Sequence, residues 1–60
     1  MNRLKELRKE KKLSQKEIAK EMSISEKTLS RWENGESQIK PEKAQQLAKY
    51  FGVSVGYLLG

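Results

Sequence analysis

Two short amphipathic segments, each preceded by a serine, constrain this 60-residue chain more than any other feature. Ser14 begins the sequence S-Q-K-E, which is typical of a capping box because the hydroxyl can accept from the Glu17 amide while the glutamate side chain reaches back. Ser25 offers a second N-cap, and Gly35 suits the end of the second segment because glycine tolerates a positive φ. Residues 15–34 therefore predict two short helices joined by a tight turn.

The apolar residues of both segments recur at helical spacing, so each helix has one side that can be buried. The opposite side of the second helix carries polar and basic residues with no partner in the pair. Such a side suits the major groove of DNA, but it is equally typical of an ordinary helical hairpin with a solvated face. The predicted buried residues are Ile18, Ala19, Met22, Ile24, Leu29 and Trp32, and the outward residues are Lys27, Ser30, Arg31 and Asn34.

Three further helices are predicted outside this pair. Residues 2–12 carry Leu4 and Leu7 at helical spacing, with basic residues around them. Pro41 suits the first turn of a fourth helix, where its missing N–H is not needed, and Ser54 can cap a last short helix, VGYLL. The apolar stripe of the fourth helix comprises Ala44, Leu47, Ala48 and Phe51.

The central pair of helices carries a characteristic set of residues, namely Gln15, Ala19, Ile24, Leu29, Glu33, Asn34 and Gly35. With these residues the pair resembles the helix-turn-helix of the lambda repressor and Cro type, known as the XRE family. The similarity continues through LKELRKEKKLSQ before the pair and AKYFGVSVGYLLG after it, so it covers nearly the whole chain. The resemblance implies an all-α, compact five-helix lambda-repressor-like bundle that binds double-stranded DNA.

The composition limits the other classes of protein that the chain can represent. Sixty residues allow one domain, spanning residues 1–60. The absence of cysteine and histidine excludes disulfides and the usual zinc sites, and we expect no cofactor. An enzyme is the least favoured class, because there is also no aspartate and no glycine-rich phosphate loop. The N-terminus, MNRLKEL, lacks an apolar run, which predicts a cytoplasmic protein without a membrane span.

The net charge of +5 fits a polyanionic partner, but its distribution weakens that argument. Residues 1–13 hold six basic residues against two glutamates, whereas residues 14–40 hold five of each sign. Residues 41–60 add the remaining +1, so the excess charge lies mostly on the first helix and not on the outward side of the third.

The resemblance implies that the third helix supplies the base-reading residues Glu26, Lys27, Thr28, Ser30 and Arg31. Arg31 can make the bidentate contact to guanine, and Lys27 can reach guanine or a phosphate. The Thr28 methyl group can touch thymine, with Ser30 at the margin. Glu26 can accept from a cytosine amine, or it can serve only as a favourable acid at the start of the helix.

The resemblance likewise implies phosphate contacts, for which the candidates are Gln15, Lys16, Asn34, Gln38 and Lys40. Gln15 lies at the first turn of the second helix, where free amides and the helix dipole favour an anion. The alternative for Gln15 is a solvent-facing residue at a helix start.

The loop after the third helix departs from the family pattern. Glu36 stands where basic or small polar residues are common, and Ile39 stands where the family usually has a proline. The proline of this chain, Pro41, comes two residues later. Phosphate contacts from this loop are therefore the least constrained part of the prediction.

Two further expectations concern structure and assembly. The resemblance implies a partly buried ion pair between Arg8 and Glu33. Tyr57, Leu58 and Leu59 crowd the C-terminal end, and we expect one or two of them to close the core. The remainder could form the dimer patch that the family often has there, and a homodimer would read a palindromic operator. The alternative is that these three residues only cap the core, with dimerisation absent or occurring on DNA.

Taken together, the sequence predicts a sequence-specific, double-stranded DNA-binding transcription regulator, favoured as a repressor of phage, prophage or bacterial type. An activator would have the same sequence features. The alternatives are a small helical protein-interaction module and an antitoxin-like protein that regulates its own promoter.

Overall fold

A computed structural model describes residues 2–60, which form five α-helices and no strand. The all-α, five-helix architecture is therefore confirmed. The first helix is shorter than the predicted residues 2–12, because the backbone leaves the helical region at Lys12, where φ is 57°. The helices are α1 (Leu4–Glu10), α2 (Gln15–Met22), α3 (Glu26–Glu33), α4 (Pro41–Phe51) and α5 (Val55–Leu59).

The helices begin where the serine caps predict. Ser14 Oγ accepts from the Glu17 amide at 3.1 Å, and Glu17 Oε1 accepts from the Ser14 amide at 3.0 Å, which completes the capping box. Ser25 and Ser54 accept from the amides three residues further on, at 3.1 and 3.0 Å. Each cap satisfies a first-turn amide that has no partner within its helix.

Four of the helices end in the same way, with a residue in the left-handed region. At these positions φ is 57° for Lys12, 57° for Ser23, 76° for Gly35 and 70° for Gly52. In each case the amide of the next residue bonds back to a carbonyl five residues earlier, as in the bond of 2.9 Å from the Ile24 amide. Glycine suits this conformation, so the two non-glycine ends carry a backbone cost.

The core is one cluster with side chains from all five helices. The stripes predicted on α1 to α4 are buried, except that Ile24 in the turn is half-buried against the cluster. Ile39 joins the core although it lies in the loop, where no stripe predicts burial. The buried apolar residues are Leu4, Leu7, Ile18, Ala19, Met22, Leu29, Trp32, Ile39, Ala44, Leu47, Ala48, Phe51 and Leu58.

Among the three candidates for the dimer patch, Leu58 is the one that closes the core, so it cannot belong to an exposed patch. This side chain is fully buried, and its carbonyl accepts from the Arg3 amide at 2.8 Å. Since α5 has only five residues, it can turn one long side chain into the core while its neighbours point outward. Tyr57 and Leu59 are 46% and 44% exposed.

The packing of the helices leaves one side of α3 uncovered. Helix α3 packs against α2 and α1, whereas α4 packs against α2 and α5. The Lys43 ammonium group donates to the Met22 carbonyl at 2.8 Å, which ties α4 to the end of α2. The described residues measure 23 × 23 × 18 Å, and the side of α3 that carries Glu26, Lys27 and Arg31 is exposed.

Candidate nucleic-acid interface

The outward side of α3 is bare among residues 2–60. Lys27 and Arg31 are both exposed, and they lie one turn apart on the same side of the helix. Leu29, Trp32 and Glu33 occupy the buried side. The helix is amphipathic, so burial of its apolar side leaves two neighbouring cations directed at solvent.

The other three candidate base-reading residues differ in their exposure and in the hydrogen bonds that they already make. Glu26 is exposed at the first position of α3. Thr28 is half-buried, and its hydroxyl accepts from Ser25 Oγ at 2.9 Å, so the cap occupies part of its bonding capacity. Ser30 is half-buried beside the exposed Asn34, whose amide nitrogen lies 3.5 Å from Ser30 Oγ, a long and weak contact.

At the start of α2, the two candidate phosphate-binding residues behave differently. Lys16 is exposed and makes no hydrogen bond or ion pair within the described part of the chain. Gln15 is half-buried, and its Nε2 atom donates to Glu33 Oε1 at 2.9 Å. This contact joins the first turn of α2 to the last residue of α3.

Arg8 and Glu33 form an ion pair in which two guanidinium nitrogens meet the two carboxylate oxygens. The Nε–Oε2 distance is 2.6 Å and the Nη2–Oε1 distance is 3.3 Å. The side chains are 11% and 1% exposed, respectively. Arg8 Nη1 also donates to the Leu13 carbonyl at 2.8 Å, so the guanidinium fixes the turn that leads into α2. Helix α1 thereby holds the adjoining ends of α2 and α3.

The loop candidates are exposed but are not brought together by hydrogen bonds. Asn34, Gln38 and Lys40 all reach solvent. The Asn34 amide nitrogen is 3.5 Å from Glu36 Oε2, so a carboxylate lies beside this candidate phosphate-binding residue. Gln38 lines an open cleft of about 470 Å³ together with Leu59, which connects the loop to the C-terminal end.

Two residues that link the helices, Asn2 and Lys43, were not predicted from the sequence. Asn2 Oδ1 accepts from the Leu4 amide at 3.0 Å, and Asn2 Nδ2 donates to the Trp32 carbonyl at 2.9 Å, which ties the start of α1 to α3. The contact with the Leu4 amide is local and was open to prediction, because asparagine often bonds to amides at a helix start. The contact with Trp32 depends on tertiary packing and has no signal in the sequence. The bond from Lys43 to α2 has no such signal, because it joins residues that are distant in sequence.

Two features of other protein classes are absent from residues 2–60. These residues contain no cluster of acidic side chains, or of histidine or cysteine, that could hold a metal ion. No helix among them combines the length and apolar character needed to cross a membrane.

Comparison with known proteins gives two findings. The helix-turn-helix family model matches residues 4–58. The HTH-type transcriptional activator BcrR of Enterococcus faecalis is similar to this chain, with 32% identity over 57 residues. That alignment covers 95% of this chain but 28% of the relative, so the chain spans less than a third of that protein. Because the family model covers nearly all of the described helices, the chain belongs to the XRE-type helix-turn-helix family.

Proposed function

We propose that this chain is a sequence-specific, double-stranded DNA-binding domain of a transcription regulator, with α3 in the major groove. The observation that carries this proposal is the uncovered outward side of α3, where Lys27 and Arg31 lie side by side. Membership of the helix-turn-helix family and the regulator named among its relatives support it. The proposed activity is binding without catalysis.

The size of α3 agrees with this role. Eight helical residues extend about 12 Å, which is close to the width of the major groove. Arg31 would make a bidentate contact to guanine, and Lys27 would contact a neighbouring guanine or a phosphate. Thr28 would offer its methyl group to thymine, because its hydroxyl is engaged with Ser25. Glu26 would accept from a cytosine amine, with Ser30 at the edge of the contact.

The phosphate contacts would lie on both sides of this helix. Gln15 and Lys16 at the start of α2 form one set, and Asn34, Gln38 and Lys40 form the other. These contacts position the domain but carry no base preference of their own. The first set has the stronger support, since Glu36 places a negative charge within the second.

A homodimer on a palindromic operator would use the exposed residues at the C-terminal end. Tyr57 and Leu59 are the exposed apolar groups there, although the Arg3 guanidinium covers one face of the Tyr57 ring at 4.3 Å from its centroid. Two-fold symmetry would place the two reading helices about 34–36 Å apart, one turn of DNA.

Repression is the regulatory outcome that needs the least additional machinery. An operator that overlaps a promoter excludes polymerase by occupancy alone, whereas activation requires a further productive contact with polymerase. We therefore propose a repressor of phage, prophage or bacterial type, working in the cytoplasm where bacterial DNA lies. Activation is the alternative, because the relative named above is a transcriptional activator. A reporter gene placed under the selected operator distinguishes the two, since its expression falls with a repressor and rises with an activator.

The test begins with selection of a preferred site from random duplex DNA, followed by affinity measurements from 50 to 200 mM salt. Only cationic contacts release counterions, and the five proposed phosphate contacts include two cations, Lys16 and Lys40. We therefore expect affinity to fall by roughly 10-fold over that range for each bound copy. Affinity that does not change with salt would contradict the phosphate-contact model. It would favour a protein-interaction module, for which Tyr57 and Leu59 are the exposed apolar residues.

A further inference from the structure

Glu33 has a second partner besides Arg8. Its Oε1 atom accepts from Arg8 Nη2 at 3.3 Å and also from Gln15 Nε2 at 2.9 Å. The Glu33 side chain is 1% exposed, and Glu33 is the one charged residue among residues 2–60 that is buried. A buried carboxylate at the end of α3 therefore contacts the first residue of α2.

The chemistry of this contact fixes which way the Gln15 amide faces. An ionised carboxylate can only accept hydrogen bonds, so the NH₂ group of Gln15 and not its oxygen must face Glu33. An NH₂ group has two N–H donors, and Glu33 takes one of them. No described residue accepts the second. Gln15 is half-buried, so this second donor remains within reach of a ligand at the start of α2.

The hydrogen bond to Glu33 also restricts the Gln15 side chain before any ligand binds. A glutamine that is free in solution must be immobilised when it binds a phosphate, which lowers affinity. Gln15 is already held in the folded chain. Arg8 restricts Gln15 further, because it donates to the same carboxylate and also to the Leu13 carbonyl, two residues before Gln15.

We propose that Glu33 is a positioning residue for DNA binding, whose buried carboxylate holds the Gln15 amide with one N–H directed at a backbone phosphate. This inference rests on the proposed function. It gives the Arg8–Glu33 pair a role beyond holding helices together. Through Glu33, the pair fixes the position of Gln15 on α2 relative to the end of α3, the proposed base-reading helix.

A double-mutant cycle tests this coupling. Arg8→Met with Glu33→Leu replaces the ion pair by apolar side chains of similar volume, an exchange that folded proteins often tolerate. We expect Gln15→Ala to weaken operator binding by about 3- to 10-fold in the native chain and by less than about 2-fold in the double variant. Equal losses in the two backgrounds would overturn the inference.

Gln38→Ala is the matched control for that cycle. Gln38 is an exposed glutamine in the loop and makes no contact with Glu33, so its loss should be the same in both backgrounds. If the Gln38 effect also changed, Glu33 would be supporting the whole surface, and a specific role toward Gln15 would be wrong. Absence of salt-dependent DNA binding by the native chain would instead reject the proposed function itself.

A second measurement needs no substitution. Side-chain ¹⁵N relaxation of the free protein reports how mobile each glutamine amide is. We expect an order parameter near the rigid-backbone value of about 0.85 for Gln15, and values below about 0.6 for Gln45 and Gln46, which are exposed on α4. A Gln15 amide as mobile as these two would overturn the inference even if the double variant failed to fold.

Discussion

Arg31 and Lys27 lie together on α3, but their chemistry predicts different consequences when they are removed. The planar guanidinium of Arg31 matches the two acceptors of guanine, whereas the Lys27 ammonium is a point charge that suits either a base or a phosphate. A base-reading residue is therefore identified by a substitution that reduces the preference for particular bases. A substitution that only lowers affinity does not identify one.

The first prediction concerns Arg31→Ala. We expect a loss of about 1–3 kcal/mol on the selected operator and a smaller loss on random duplex, because the base contact disappears. Fluorescence anisotropy with both duplexes measures the difference. Lys49→Ala removes the same charge from an exposed position on α4 and should affect both duplexes slightly and alike. Equal losses on both duplexes for Arg31→Ala would remove Arg31 from the reading set.

The second prediction concerns the left-handed residues at the ends of α1 and α2. Lys12 and Ser23 both have φ of 57°, and neither side chain makes a hydrogen bond within residues 2–60. We expect Lys12→Gly and Ser23→Gly each to raise the free energy of unfolding by about 1 kcal/mol, since glycine adopts this conformation without steric cost.

Urea unfolding measures this gain. Lys11→Gly is the control, because Lys11 precedes the turn with φ of −89° and ψ of 2°. Glycine there adds flexibility to the unfolded chain without relieving strain, so stability should stay the same or fall. A gain at Lys11 equal to that at Lys12 would show that the left-handed conformation is not the cause.

At the scale of the helix, α5 has the weakest local propensity. Gly56 lies inside this five-residue helix, and a Cβ atom there would meet only Ser54 Oγ, at 4.0 Å. We expect Gly56→Ala to stabilise the chain by about 0.5–1 kcal/mol in thermal or urea unfolding. Gly52→Ala should do the reverse, because Gly52 has φ of 70°. A destabilising Gly56→Ala would mean that the added methyl group makes an unfavourable contact that outweighs the gain in helix propensity.

The same scale explains what could be predicted from the sequence. Local signals specify the helices, because a serine cap such as Ser14 and a stripe such as the one on α4 act within a few residues. The burial of Ile39 escapes these signals, since it reaches the core from a loop. The very short α5 also does not indicate which of its three candidates is buried, and the structure buries Leu58. The site divides in the same way. Exposure of Lys27 follows from helix periodicity, whereas the contact between Gln15 and Glu33 depends on how α2 and α3 cross.

At the scale of the whole molecule, the Arg8–Glu33 pair makes three helices depend on one another. A domain of this size has only about 3–9 kcal/mol of total stability. Removal of one partner leaves the other charge buried, which costs about 3–5 kcal/mol. We therefore expect Glu33→Leu alone to unfold much of the population, and Arg8→Met with Glu33→Leu to recover most of the lost stability.

Circular dichroism during urea unfolding measures this fourth prediction. Arg3→Met serves as the control, because Arg3 lies over the Tyr57 ring and donates to the Tyr57 carbonyl at an exposed position. Its loss should cost much less than the loss of Glu33, since no buried charge is left behind. A double variant no more stable than Glu33→Leu would mean that apolar side chains cannot fill this site.

The last prediction concerns assembly on DNA. Leu59 is 44% exposed, so its replacement by lysine removes little from the core of the monomer. If Leu59 packs against a second copy, Leu59→Lys places like charges across the two-fold axis and weakens binding of the second copy. We expect the variant to bind a single half-site duplex like the native chain but to lose the cooperative gain on the full palindrome. Titrations of both duplexes measure this, and equal affinity of variant and native chain for the palindrome would exclude Leu59 from a dimer contact.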